Sequence, residues 1–233
     1  MKILLLVILA GCISYLGYEY VRFRSLLIAG DGLIESAKLF AREGNDTAML
    51  VLGDSTAVGV GASKPEDTVP GRIASLHPAW TVENYAVSGA RIHDIPGQLA
   101  RAERTEYELI FMQIGANDII RFKNAADAAR ELAPHLEALR ARGKKVVFIT
   151  AGNIGATTFF PHMLRPYYHH ATLRYHAAFE KLAERTGVTY VNLYTPPADD
   201  PFTKDPGLFL AEDGLHLSSE GYGLWFERVK SAL

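Results

Sequence analysis

Residues 48–60 read AMLVLGDSTAVGV. Five apolar residues run into Gly53, Asp54 and Ser55, and small residues follow. A short apolar run bounded by a turn signal reads as a strand buried on both faces, the kind found in parallel sheets. Its exit admits two readings. One is a polar turn in which Ser55 caps a following helix. The other is a nucleophilic serine presented at the mouth of a site. A tripeptide of common residues does not choose between them, so the choice rests on the rest of the chain.

The pattern repeats downstream. Apolar runs at 48–52, 81–86, 109–114, 145–150 and 188–193 alternate with helical patterns at 70–77, 92–104, 125–142, 166–186 and 218–232. The stretch 125–143 is the clearest helix, rich in Ala and Leu and closing on Arg140, Arg142 and Gly143. Strands too apolar to face water on one side, separated by helices, predict an α/β fold: a parallel five-stranded sheet covered on both faces.

Open sheets of this kind bind ligands beyond the carboxyl ends of their strands. Gly53-Asp54-Ser55 follows the first run, and Ser88-Gly89-Ala90 lies beyond the second. Gly115-Ala116-Asn117-Asp118 follows the third, and Ala151-Gly152-Asn153 the fourth. A long loop after the fifth ends in Asp213-Gly214-Leu215-His216.

These residue types complement one another. A serine hydroxyl needs a base, commonly a histidine held in one tautomer by a carboxylate. His216 is the candidate base, and Asp213, three residues earlier, can take the proton of the other ring nitrogen across a turn. An oxyanion on the substrate needs convergent donors. The Ser55 N–H, the Gly89 N–H and the Asn117 side-chain amide can supply them.

Four blocks in this order, Gly-Asp-Ser, the Gly89 loop, Gly-x-Asn-Asp and Asp-x-x-His, resemble the SGNH hydrolases, also called the GDSL esterases and lipases. The resemblance runs from about residue 48 to the carboxyl end. It implies a flavodoxin-like three-layer α/β/α sandwich. It also implies Ser55 as nucleophile, Asp213 and His216 as its triad partners, and an oxyanion hole of Ser55, Gly89 and Asn117. One position departs from the family: Thr56 stands where the eponymous motif has leucine, which weakens a lipase assignment more than the chemistry.

Other conspicuous residues have simpler readings. Asp54 shapes its loop, Asp118 caps the helix that follows, and Arg121 is a solvated helix-end residue. Trp80 and Trp225 belong to the core or an interface. His169, His170 and His176 cluster without a cysteine or carboxylate at metal spacing, so neither metal nor cofactor is expected. Substrate selection falls to two apolar loops. Residues 152–168 carry Phe159, Phe160, Met163, Tyr167 and Tyr168; residues 194–212 carry Phe202, Leu208, Phe209 and Leu210.

The chain has 233 residues and a formal net charge of −2, with no basic stripe, which sets nucleic acid aside as a partner. Its only cysteine, Cys12, lies in the uncharged run from Ile3 to Tyr18. We read that run as an uncleaved membrane anchor flanked by Tyr15, Tyr18 and Tyr20. A cleaved secretory signal and a lipoprotein signal at Leu9-Ala10-Gly11-Cys12 are the alternatives. The expected organisation is an anchor over 1–21, a connector over 22–46 that Gly30 and Gly32 interrupt, and a hydrolase domain over 47–233 on the extracytoplasmic side. The expected substrate is a small-molecule or lipid ester: a lipid, a lysophospholipid or an acetylated sugar. An acyltransferase with the same triad and a flavodoxin-like binding protein are the rival functions. The sequence does not indicate an oligomeric state.

Overall fold

A computed structural model describes residues 2–233. In chain order the elements are α1 (Lys2–Ser36), β1 (Asn45–Gly53), α2 (Ser55–Val58), α3 (Val69–Leu76), β2 (Trp80–Asn84), α4 (Ile95–Leu99), β3 (Tyr107–Gln113), α5 (Ala116–Ile120), α6 (Ala125–Arg140), β4 (Gly143–Ile149), α7 (Arg165–Thr186), β5 (Thr189–Val191), α8 (Pro201–Lys204), α9 (Pro206–Phe209) and α10 (Ser219–Lys230). The five strands pair in parallel in the order β2-β1-β3-β4-β5. That is the flavodoxin-like order, with its switch point at β1 and β3.

Alternation along the strands divides the core into two layers. Leu50, Leu52, Ile110, Met112, Val146 and Phe148 face α6 and α7, where they meet Leu132, Leu136, Tyr175 and Phe179. Met49, Val51, Leu109, Phe111, Val147 and Ile149 face α3 and α10, where they meet Ile73, Tyr222, Phe226 and Val229. The sheet is therefore a sandwiched middle layer, and its carboxyl edge is where chemistry can be displayed.

Three local expectations differ from the structure. The helix foreseen over 92–104 is a short 3-10 turn at Ile92–Asp94 followed by α4. Arg101 and Ala102 donate to Gln98 and Leu99, a tightening that ends it. The last strand shrinks to Thr189–Val191 at the sheet edge. The largest difference is α1, which runs unbroken through Gly30 and Gly32 to Ser36. Each glycine costs a helix interior about 1 kcal/mol, but packing offsets it. Phe23 and Leu26 lie against the α6–α7 layer, and Leu33 lies against the α3–α10 layer.

The first half of α1 behaves differently. Apolar residues from Ile3 to Leu16 are exposed on every side. The helix is long and apolar enough to cross a membrane, and a signal sequence would look the same.

Candidate active site

The turn after β1 is held by backbone. Gly53 adopts φ +147°, and a Cβ there would fall 2.1 Å from the Gln113 carbonyl oxygen, so only glycine fits. The buried Gln98 amide clamps it from the other side. Its Oε1 accepts from Gly53 N–H and its Nε2 donates to Gly53 C=O, both at 2.8 Å. Asp54 then caps α2, its Oδ1 accepting from Thr56 N–H at 3.0 Å. Burial pushes the Asp54 carboxyl up to about 6 despite hydrogen bonds from Thr56 that favour its charge. Ser55 opens α2 with its side chain toward a cavity.

His216 comes from the far side, on the irregular chain before α10. Its Nε2 lies 3.0 Å from Ser55 Oγ and its Nδ1 lies 2.6 Å from Asp213 Oδ2. With the ring proton on Nδ1, the imidazole donates to Asp213 and its Nε2 accepts from the Ser55 hydroxyl. The other Asp213 oxygen accepts from the N–H groups of Leu215 and His216, each at 3.0 Å. Gly214, at φ +65°, makes that turn possible. Burial opposes the charge on Asp213, but the bonds from His216 and these two N–H groups outweigh it and hold the carboxyl below its ordinary value.

Gly89 and Asn117 line the same cavity as Ser55 and His216. Gly89 has φ +80° and open space where a Cβ would stand. Asn117 Nδ2 donates one hydrogen to the Ala90 carbonyl at 3.1 Å, leaving its second hydrogen free. Thus Ser55, Gly89, Asn117 and His216 meet at one cavity, and Asp213 stands behind the imidazole.

The cavity measures about 200 Å³ and is mostly apolar, with Ile120, Ile154, Leu215, Leu217 and Trp225 among its walls. Of the aromatic residues expected to select substrate, only Phe202 reaches it, together with Leu210. Phe159, Phe160 and Tyr168 are buried in the α6–α7 layer, whereas Met163 is exposed. Their place is taken by Ala151, Gly152, Asn153, Ile154 and Thr157, non-aromatic residues after β4, and by Ile34 of α1. Trp225 both packs in the core and borders the cavity.

Asp118 does not cap α5. It is fully buried, accepts from the Ile92 N–H at 3.0 Å and faces Arg91 and Lys123. Arg121 is exposed at the end of α5. His176 and His169 direct Nδ1 at the hydroxyls of Tyr190 (2.6 Å) and Tyr194 (2.8 Å). Two positions escaped the sequence reading: Gln98, a lone amide on a short helix, and Ile34, inside a segment read as a connector.

Residues 51–224 match the GDSL-like Lipase/Acylhydrolase family. A GDSL-like esterase of Mycobacterium tuberculosis is 29% identical over 190 residues, which are 77% of this chain and 59% of that protein. The chain thus spans less than two thirds of that relative's length. A lipolytic protein of the G-D-S-L family from Veillonella parvula shares the fold with a TM-score of 0.63 at 16% identity, covering 80% of this chain and 98% of the other. An extracellular lipase from Streptomyces rimosus does so with a TM-score of 0.63 at 18% identity, covering 80% and 100%. Matched over residues 51–224, most of its length, the chain belongs to the GDSL-like lipase/acylhydrolase family.

Proposed function

We propose that the protein is a serine esterase that hydrolyses carboxylic esters with Ser55 as nucleophile, His216 as base and Asp213 as its orienting carboxylate. The observation that carries this reading is the continuous hydrogen-bonded line from Asp213 through His216 to Ser55, ending in an apolar cavity. Membership of a family of lipases and acylhydrolases, and a relative described as an esterase, support it.

In the first stage His216 Nε2 takes the Ser55 proton as Oγ bonds to the ester carbonyl carbon. The negative oxygen is held by the Ser55 and Gly89 N–H groups and by the Asn117 amide. Asp213 stays ionised and stabilises the imidazolium. The carbonyl re-forms, the ester C–O bond breaks, and the His216 proton goes to the leaving alcohol. In the second stage water gives a proton to His216 and attacks the acyl-serine. The acid departs and Ser55 recovers its proton.

A cavity of about 150 Å³ holds a benzene-sized group, so about 200 Å³ suits an acyl chain of roughly eight heavy atoms or fewer. The exposed first half of α1 anchors the chain in a membrane, with residues 1–21 in or near the bilayer, residues 47–233 as the extracytoplasmic catalytic unit and residues 22–46 between them.

The test is hydrolysis of p-nitrophenyl esters of graded chain length by the full chain in detergent, beside Ser55→Ala and His216→Ala. Wild type turns over short and medium esters and both variants are silent. Equal, slow release by all three contradicts the proposal.

A further inference from the structure

The half of α1 nearest the domain holds the active site rather than merely linking it to the anchor. Partly or fully buried positions recur at Glu19, Arg22, Phe23, Leu26, Gly30 and Leu33, a stripe at helical spacing. Its contacts converge on the turn that carries Asp213 and His216. Arg22 donates to the Thr158 carbonyl at 2.7 Å, and the Phe23 ring lies 5.1 Å from that of Phe159. The N–H groups of Thr158 and Phe159 in turn donate to the Gly214 carbonyl at 2.9 and 3.0 Å. Two turns farther along α1, Gly30 is buried directly on Asp213, and a Cβ there would stand 3.2 Å from Asp213 Oδ2. That oxygen is the one that accepts from His216 Nδ1. One turn beyond again, Ile34 enters the cavity wall beside the residues around Ser55.

We infer that residues 19–36 form a working wall of the active site, in which Gly30 is a positioning residue for Asp213 and Ile34 a specificity-determining residue of the acyl cavity. This rests on the esterase reading above. Gly30 has ordinary helical backbone, so alanine would suit the helix better. What glycine permits is the close approach of the helix to the carboxylate. A methyl group there displaces Oδ2 by a few tenths of an ångström and loosens the hydrogen bond that orients the base. Ile34 narrows the cavity from the side of the anchor, so its size sets how long an acyl chain can enter.

The full chain in detergent is titrated with diethyl p-nitrophenyl phosphate, which counts active serines, and kcat and KM are then measured per titrated site. Gly30→Ala lowers kcat about tenfold and Gly30→Val about a hundredfold, with KM within about twofold of wild type. The melting temperature of Gly30→Ala stays level or rises, a combination that a merely structural glycine would not give. Ile34→Trp lowers the ratio of kcat/KM for octanoyl over butyryl ester about tenfold, and Ile34→Ala raises it. An active wild type with Gly30→Ala equal to it in kcat, or with chain-length preference indifferent to Ile34, overturns the inference alone. A wild type that neither turns over esters nor titrates overturns the esterase reading and this inference with it.

Discussion

Ser55, Gly89 and Asn117 stand on one wall of the cavity, and His216, backed by Asp213, on the other. The first wall grows out of the sheet. Gly53 pairs with Gln113 in the β1–β3 register, Asp54 N–H donates to the Gln113 carbonyl at 3.0 Å, and Val87 N–H donates to the Gly53 carbonyl at 3.0 Å. The second wall is an irregular turn. It is tied by Ala211 N–H to the His216 carbonyl at 2.8 Å, by Thr158 and Phe159 on Gly214, and by α1 across Asp213. Sheet register, together with the Gln98 clamp on Gly53, fixes the proposed donors and nucleophile. The proposed base depends on side-chain and loop contacts that remote substitutions can loosen. Stability should therefore track the first wall, and catalytic efficiency without loss of stability the second.

Substitutions on each wall test that division, and the chemistry itself gives the largest effects. Ser55→Ala removes the proposed nucleophile and should lower kcat by about 10⁶, read as initial rate on a p-nitrophenyl ester. Asp213→Asn leaves the turn shape but loses the acceptor that fixes the His216 tautomer, for a loss of about 10⁴. Asn117→Ala on the sheet wall removes one proposed oxyanion donor and should cost about 10²–10³ in kcat, with KM little altered.

A second pair separates stability from rate. Gln98→Ala leaves the Gly53 N–H buried without a partner, while its carbonyl keeps the Val87 N–H, and should cost about 1–3 kcal/mol and lower the melting temperature by roughly 3–10 °C. Arg22→Ala frees the loop at Thr158 and should cost less than about 1 kcal/mol, yet lower kcat severalfold. Calorimetry and kinetics on both proteins decide this; the reverse pattern would break the contrast between the walls.

Much of the sheet wall was legible because its signals are local. A glycine, a carboxylate and a serine directly after an apolar run need only that run to become a strand. Asn117 is read the same way from the third strand, and Asp213 with His216 from their spacing. Gln98 was not legible, since a lone glutamine says nothing about a glycine 45 residues away. The wall made by α1 was not legible either. Gly30 and Gly32 carry the signature of a helix break, and only the fold reveals that Gly30 permits a close approach. The aromatic residues of 152–168 misled for a related reason: large apolar side chains fill the core first, leaving the smaller Ala151, Gly152 and Asn153 to shape the cavity.

The last contrast is in pH dependence, where the walls differ in sign. Asp54 keeps its proton up to about 6 when folded, against an ordinary value of 3.8. Its contribution favours the fold at low pH and is lost as pH rises between those values. Asp213, held below the ordinary 3.8, contributes above that value and loses its contribution as pH falls through its lowered one. Melting temperatures of Asp54→Asn should therefore fall less than those of wild type between about pH 4 and pH 7.

The central claim is that Ser55 is a nucleophile activated by His216. Diethyl p-nitrophenyl phosphate reacts with such a serine, releasing p-nitrophenolate as the diethylphosphoryl group is transferred to Oγ. Mass spectrometry of the labelled, digested full chain should find that group on Ser55, with one equivalent of p-nitrophenolate released and none from Ser55→Ala. An unlabelled wild type, or an undiminished burst from Ser55→Ala, would contradict the account.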